Sequence, residues 1–158
     1  MEQEMTHFDR KGAAVMVDVS EKDITTREAT AAGKITLSEE AYRIVVEGSA
    51  KKGDVFGVAR LAGIMAAKKT SDLIPLCHPL PLAKCSVEFI PHEEEHAIEV
   101  QSTVKTTGKT GVEMEALTSV NIALLTIYDM VKAIDRGMVM SDIVLLEKSG
   151  GRSGRYVR

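Results

Sequence analysis

The longest regular pattern of apolar positions lies between residues 105 and 136. Apolar side chains recur there at steps of three and four residues, which is typical of one face of a helix. The positions are Leu117, Val120, Leu124, Ile127, Val131 and Ile134. A polar, glycine-bearing run (TTGKTG) precedes them, and Gly137 follows as a residue suited to the left-handed conformation that ends many helices. The pattern therefore predicts a long core helix that ends at Gly137.

Two short β-prone runs are predicted in the first part of the chain, at residues 13–19 and 33–37. The stretch between them is polar and has little periodicity, so it is expected to be a loop. Ser38 is then expected to cap a helix that runs to Gly48, and Asp54 to cap a second helix that is rich in small residues. These patterns place two helices directly after the second predicted strand.

Three prolines fall within residues 72–82, which predicts a stiff extended loop because proline disfavours helix interiors and central strands. Residues 84–90 and 96–104 alternate between apolar and polar side chains around a short acidic turn, which predicts an antiparallel hairpin. A last strand is predicted at residues 141–147. The element order is that of an α+β fold, with a ferredoxin-like antiparallel sheet and helices packed on one face. Burial in an oligomer would cover the other sheet face and the alanine-rich helix surface.

The overall composition and charge limit the kinds of function that the protein can have. The 158 residues suit one domain, residues 1–158, whose ends (1–12 and 155–158) are expected to be flexible. Three Phe, three Tyr and no Trp offer no platform for stacking bases, and a net charge of −3 argues against nucleic-acid or membrane-surface binding. Cys77 and Cys85 match no zinc spacing. Without a signal peptide or a long uninterrupted apolar span, a reducing cytoplasm and no disulfide are expected.

The charges on the long helix suggest chemistry but also limit it. Asp129 and Lys132 are three residues apart and share a helix face, so they form either an acid/base pair or an ordinary solvated ion pair, which is the commoner case. Glu115 and Asp129 are separated by about 21 Å along a continuous helix. These two carboxylates therefore serve different sites, or one site takes one helix end from each of two subunits.

Other polar residues have two interpretations each. His78 sits in the proline-rich loop, where it is either an imidazole that stiff flanks position for acid/base work or a structural residue. Arg27 is expected to be an exposed loop charge. The run from Lys148 to Arg155 combines glycines with three cations, which suits phosphate binding, although a frayed basic terminus is the simpler interpretation. His92 and His96 are interpreted as solvated loop residues, because no third metal ligand can be placed.

Several blocks together resemble the cyclic pyranopterin monophosphate synthase family, the C proteins of molybdenum cofactor biosynthesis. The blocks are MVDVSEKDITTREATAAG, KKGDVFGVARLAGIMAAKKTSDLIPLCHPLPL, KTTGKTGVEMEALTSVNIALLTIYDMVKAID and LLEKSGGRSG. The resemblance covers residues 16–154, and the combination of LCHPL, TGKTGVEMEALT and TIYDM is highly specific. It implies a ferredoxin-like subunit, assembled as a hexamer of three dimers, with active sites between subunits.

The resemblance also implies a reaction and a set of site residues. A cyclised GTP intermediate would be rearranged to cyclic pyranopterin monophosphate with loss of diphosphate, so the protein would be a lyase that uses general acid/base catalysis. No cofactor is implied, and magnesium enters only as an incidental ion on the triphosphate. The residues implied to be catalytic are Asp129, Lys132, Lys52 and His78. Those implied to bind substrate are Leu76, Cys77, His78, Glu113, Met114, Glu115, Arg27 and Lys148.

The residue chemistry fits these implied roles. Lys52, Arg27 and Lys148 would offset the charge of a triphosphate before diphosphate leaves. Asp129 is expected to act as a base with Lys132 as its partner acid or charge stabiliser, facing His78 and Glu115 of another subunit. Glu113 and Glu115 would accept hydrogen bonds from the N–H donors of a guanine-like edge. Two other hypotheses are a non-catalytic nucleotide-binding module and a metal-dependent phosphohydrolase, which chelators would inactivate.

Overall fold

The computed structural model describes residues 7–158 as one α+β unit with a five-stranded antiparallel sheet. The sequence-based expectations for residues 1–6 lie outside the described part. The strands are β1 (Thr25–Thr36), β2 (Leu82–His92), β3 (Ala97–Gly108), β4 (Val139–Ser149) and β5 (Tyr156–Val157). The α-helices are α1 (Glu39–Val46), α2 (Val55–Lys68), α3 (Thr70–Leu73) and α4 (Glu113–Val131), with a single 3-10 turn at Glu93–Glu95. The strand order β2-β3-β1-β4-β5 confirms the ferredoxin-like plan.

Strand β1 corrects the prediction of a polar loop after residue 20. It is a central strand that pairs with β3 on one side and β4 on the other, and it begins at Thr25 rather than at Gly33. Its threonines favour extended backbone, and its alanines are small enough for close packing under α4. The sequence pattern did not predict this strand because its side chains are small and weakly apolar. The strand is stabilised instead by hydrogen-bonded ladders to two segments that are distant in the chain.

The strand predicted at residues 13–19 is wrong. The segment contains only one isolated bridge, in which Ala14 pairs with Phe8. Val17 and Val19 are half-buried and alternate with exposed neighbours, as in a strand. They pack over the proline-rich loop instead of joining the sheet, since the backbone of Val17 is bound by a side chain rather than by a neighbouring strand.

The sheet has one apolar face and one polar face. Ala29, Ala31 and Ile35 of β1 lie on the apolar face, opposite Val104, Ser102 and Ile98 of β3. Helices α2 and α4 pack on this face. On the far face Thr30 hydrogen-bonds to Thr103 at 2.8 Å, and Lys34 pairs with Glu95 at 2.6 Å. The far face is therefore largely polar, and covering it would bury little apolar surface.

Both predicted helix caps are confirmed. The Ser38 hydroxyl accepts from the backbone N–H of Ala41 at 3.2 Å, and the Asp54 carboxylate accepts from the N–H of Gly57 at 2.9 Å. Each cap satisfies a backbone donor that the first helical turn leaves unpaired. Local capping chemistry alone thus fixes where α1 and α2 begin.

Helix α4 is the predicted core helix, but it ends earlier than predicted. Leu124 and Ile127 are fully buried, whereas the helix stops at Val131 and Gly137 does not adopt a positive φ. The chain beyond α4 is held by Asp135, whose carboxylate accepts hydrogen bonds from the backbone N–H groups of Ser38 and Gly137, both at 2.8 Å. The end of α4 itself is closed by the backbone, since the N–H of Lys132 donates to the carbonyl of Tyr128 at 2.9 Å and that of Ile134 to Val131 at 2.8 Å, without a left-handed glycine. By length and apolarity α4 is long enough to cross a membrane, but half of it is buried inside this domain, as expected of a core helix.

The hairpin and the last strand follow the predictions with longer bounds. β2 and β3 pair in antiparallel register around the acidic turn, with one register shift between Leu82 and Lys84, and β4 extends the predicted last strand at both ends. Tyr156 and Val157 form β5 against β4. Cys77 and Cys85 are both free, as expected.

One group of exposed apolar side chains lies on helix α2, and another lies on strands β4 and β5. Val58, Leu61 and Met65 of α2 are 46%, 60% and 56% exposed, and their spacing places them on one helix face. Any hydrophobic cover supplied by a second subunit would therefore act at α2 and at the β4–β5 edge more than at the polar sheet face.

Candidate active site

A cavity of about 290 Å³ lies where the proline-rich loop meets the N-terminal end of α4. Six of the predicted substrate-binding residues line it together: Leu76, Cys77, His78, Glu113, Met114 and Glu115. The other lining residues are His7, Val17, Val19, Lys22, Leu80, Thr110 and Gly111. The structure thus brings the LCH and GVEME motifs to one place, although they are far apart in the chain.

The loop that carries His78 is held at both ends. Helix α3 precedes it, and the hydroxyl of Thr106 donates to the carbonyl of Pro81 at 2.6 Å where β2 begins. The His78 Nε2 atom lies 2.7 Å from the carbonyl oxygen of Val17. Stiff flanks and this bond fix the orientation of the imidazole in the cavity, which is what a positioned acid/base group requires.

Glu115 is the most perturbed carboxyl group of the cavity. It is only 4% exposed, and burial raises the pKa of its side chain to about 7, with a further rise from the nearby charge of Glu113. At neutral pH it can therefore either accept or donate a hydrogen bond. Burial also raises the pKa of the Cys77 thiol, which keeps it protonated and a poor nucleophile.

Arg27 is buried, contrary to the expectation of an exposed loop charge. Only 8% of it is exposed, because it lies in β1 and donates from Nε to the carbonyl of Gly108 at 3.0 Å. It lines a second cavity of about 460 Å³, together with Lys22, Asp23, Thr25, Gly151, Arg152 and Ser153. Lys22 lines both cavities, so the two are adjacent.

The glycine/serine run after β4 is folded against Arg27 rather than frayed. Gly150 and Gly151 have φ of 95° and 73°, and a Cβ atom at either position would collide with the backbone or side chain of β1. Lys148 hydrogen-bonds to Ser153 and lies 3.9 Å from Glu113. Its side chain is only 18% exposed. The run therefore brings a lysine next to a carboxylate of the first cavity.

A second group of predicted residues lies at the opposite end of α4. Lys132 pairs with Asp129 at 2.7 Å, and Lys52 donates to the backbone carbonyl of Asp129 at 3.1 Å. The hydrogen bond and charge of Lys132, with the charge of Lys52, hold the pKa of Asp129 below its usual value. In the single chain the Asp129 and Lys132 side chains are 62% and 49% exposed. Asp129 is thus ionised over the physiological range and open to a partner.

The two groups are separated by the length of α4. The helix is continuous from Glu113 to Val131, so Glu115 and Asp129 are about 21 Å apart along its axis. One chain therefore does not bring Asp129 and Lys132 to His78.

His92 and His96 have structural contacts outside the two cavities. His92 lies 3.1 Å from Glu99 across the hairpin. His96 adopts φ of 47° at the acidic turn, and its ring packs against Tyr42 with centroids 5.8 Å apart. Among residues 7–158 no group of three or more His, Cys, Asp or Glu side chains is arranged to hold a metal ion.

Sequence reasoning missed several residues around these cavities. Val17, Val19 and Lys22 line the first cavity, and Lys109 donates to the carbonyl of Ser20 at 2.7 Å. The first three fall in the MVDVSEKDITTREATAAG block and Lys109 in the TGKTG motif, and both blocks carried the resemblance. No side chain in them, apart from Arg27, has a type or spacing that indicates a role by itself.

Fold and site together define an α+β protein that gathers a histidine, two glutamates and two buried or half-buried cations around adjoining cavities. Comparison with known proteins gives the family: residues 16–151 match the MoaC family, and the chain belongs to it. The chain is 60% identical to a cyclic pyranopterin monophosphate synthase of Heliobacterium modesticaldum, over 98% of this chain and 97% of the relative. It is 56% identical to a protein of the same name from Thermomicrobium roseum, over 98% and 93% of the two chains. A Methylobacterium relative with that name is 60% identical, over 96% and 95%.

Proposed function

We propose that this protein is a cyclic pyranopterin monophosphate synthase of molybdenum cofactor biosynthesis. It converts a cyclised GTP intermediate to cyclic pyranopterin monophosphate and releases diphosphate, which makes it a lyase. Membership of the MoaC family and the names of relatives that match nearly the whole chain support the assignment. The single structural observation in its favour is the convergence of the LCH and GVEME motifs on one cavity beside two cations.

Two cations are placed to bind the phosphate groups of the substrate. Arg27 lines the second cavity, and Lys148 adjoins the first. A leaving diphosphate accumulates negative charge, and preorganised cations stabilise that charge best where water is excluded. The low exposure of Arg27 and Lys148 meets this condition better than the exposed lysines elsewhere in the chain.

Two carboxyl groups are placed to bind the guanine-like part of the substrate. Glu113 and Glu115 line the same cavity, and a guanine-like edge presents N–H donors that a carboxylate accepts. Because burial raises the pKa of Glu115 to about 7, binding of such donors favours its ionised form. Substrate binding is then accompanied by release of a proton from Glu115.

The reaction centre is completed by a second subunit. Asp129 acts as the base and Lys132 as its partner acid or charge stabiliser, and both face His78 and Glu115 of a neighbouring chain. Their exposure in the single chain and the length of α4 support this arrangement. Lys52 adds a further cation beside Asp129. The assembly is a hexamer of three dimers that works in the cytoplasm without a bound cofactor.

A direct assay tests the proposal. The purified protein is incubated with the cyclised GTP intermediate, and both diphosphate and a pyranopterin product are measured. The expected result is formation of both in equal amounts, with large losses in Asp129→Asn and Lys52→Met variants. A nucleotide-binding module would bind the compound without turnover in the wild type or the Asp129→Asn variant. A metal-dependent phosphohydrolase would release phosphate species and stop on addition of chelator.

A further inference from the structure

The segment formed by residues 16–22, termed here the N-terminal strap, crosses the cavity that contains His78. Val17, Val19 and Lys22 of the strap line this cavity. The strap turns back at its end, where the backbone N–H of Lys22 donates to the carbonyl of Val19 at 3.1 Å. Because the strap belongs to neither the sheet nor a helix, it depends on other contacts to stay in place.

Two side chains from different segments of the chain bind the backbone of the strap. His78 contacts the carbonyl of Val17 from the proline-rich loop, and Lys109 donates to the carbonyl of Ser20 from the turn before α4, both at 2.7 Å. The strap itself is shaped between these points, since the Asp18 carboxylate accepts from the N–H of Ser20 at 2.8 Å. The two anchors are only three residues apart along the strap, so displacement at Ser20 is transmitted to Val17.

The Val17 contact determines which ring nitrogen of His78 carries a proton. A backbone carbonyl only accepts hydrogen bonds, so Nε2 must be the protonated nitrogen in the neutral ring. Nδ1 is then the acceptor nitrogen and is available for a proton from a bound molecule. Loss of the Val17 contact removes this preference and leaves the two tautomers in competition.

The environment of Lys109 supports a role beyond surface solvation. It lies between β3 and α4, directly before Thr110 and Gly111, which line the same cavity. Hydrogen bonds from Ser20 lower the pKa of Asp18, and the proximity of Lys109 and His78 lowers it further, which places these three side chains near one another. Lys109 therefore connects the strap to the wall that presents Glu113.

We propose that Lys109 is a positioning residue for His78. By holding the Ser20 carbonyl it keeps the strap across the cavity and the Val17 carbonyl on Nε2, so that His78 is preset as the Nε2–H tautomer. The kinetic consequence rests on the proposed function, whereas the tautomer is a property of the protein alone. The two can therefore be tested separately.

The experiment compares wild type with Lys109→Met, Lys109→Arg and Lys84→Met. Lys84 is an exposed lysine of β2 and serves as the matched control. Protein labelled with ¹⁵N at its four histidines is examined by NMR, with the His78 signals assigned from a His78→Gln variant. Wild type is expected to show a protonated Nε2 and an unprotonated Nδ1 at His78. Lys109→Met is expected to show a mixture of tautomers, while Lys109→Arg and Lys84→Met keep the wild-type pattern.

Turnover of the cyclised GTP intermediate gives the second readout. In Lys109→Met we expect kcat/KM to fall about tenfold, the effect of losing one charge-assisted hydrogen bond, with recovery in Lys109→Arg. An unchanged His78 spectrum in Lys109→Met, or an Nδ1–H tautomer in wild type, would overturn the inference whatever the activity. If Lys109→Met shows the expected mixture of tautomers but wild type does not turn over the intermediate, the inference about Lys109 is supported and the proposed function is not.

Discussion

The burial of Glu115 lowers the free energy of unfolding by an amount that depends on pH. In the unfolded chain a glutamate titrates near its ordinary value of 4.5, whereas in the folded protein the pKa of Glu115 is about 7. Below pH 4.5 the group is protonated in both states and has no effect on stability. As the pH rises from 4.5 to 7 the unfolded state loses its proton first, so unfolding becomes easier. A difference of this size corresponds to about 3 kcal/mol above pH 7.

Glu115→Gln is therefore expected to be more stable than wild type at pH 8 and nearly equal to it at pH 4.5. The reason is that glutamine carries no charge into the buried cavity. Thermal unfolding of both proteins between pH 4.5 and pH 8 measures the difference, which should reach several degrees in Tm at the upper end. Glu88→Gln, at an exposed position of β2, serves as the control with no such trend. A Tm difference that does not change with pH would contradict a raised pKa at Glu115.

At the scale of elements, the run after β4 depends on glycine at one position more than at another. Gly150 and Gly154 both have positive φ, at 95° and 68°. A Cβ at Gly150 would collide with the carbonyl oxygen of Thr26, whereas a Cβ at Gly154 meets no atom within 4 Å. The two positions thus separate the cost of the left-handed backbone from the cost of a clash with β1.

Gly150→Ala is expected to lower stability by more than Gly154→Ala. The Gly154 variant bears only the left-handed penalty, about 1–2 kcal/mol, and the Gly150 variant adds displacement of the run from Arg27. Urea unfolding gives the free energies, and KM for the cyclised intermediate reports whether the second cavity is disturbed. Equal losses in both variants would show that packing of this run against β1 contributes nothing.

Local signals and distant contacts differ in how well the sequence reveals them. The caps at Ser38 and Asp54 were predicted because each interaction spans only three residues. Strand β1 and the burial of Arg27 were not predicted, because they depend on ladders to β3 and β4 and on the carbonyl of Gly108. The end of α4 was misplaced because the apolar pattern continues past Val131, whereas the backbone there turns, with the N–H groups of Ile134 and Asp135 both donating to the carbonyl of Val131.

The candidate site was predictable in its motifs but not in its geometry. The LCH and GVEME residues were named from the resemblance, and the structure places them around one cavity. The contribution of the N-terminal strap was missed, since a backbone carbonyl such as that of Val17 leaves no mark in the sequence. Which groups face one another across a cavity is decided by tertiary packing and, in the proposed two-subunit site, by assembly.

At the scale of the whole molecule, a shared site predicts complementation between inactive subunits. Asp129→Ala and His78→Ala are each expected to abolish turnover when assembled alone. In a mixed dimer one of the two sites takes His78 from the Asp129→Ala chain and Asp129 from the His78→Ala chain, and is intact. Random mixing of equal amounts makes half of the dimers mixed, so activity should return to about a quarter of wild type.

The measurement is made on subunits co-refolded in equal amounts, with each variant refolded alone as the control. Recovery requires that the two groups come from different chains, because the continuous helix α4 keeps Asp129 about 21 Å from the cavity of its own chain. A site contained within one chain would leave every subunit of the mixture defective. Absence of recovery in an assembly shown to contain both variants would therefore reject the two-subunit site, while the contacts around His78 and Glu115 within each chain would be unaffected.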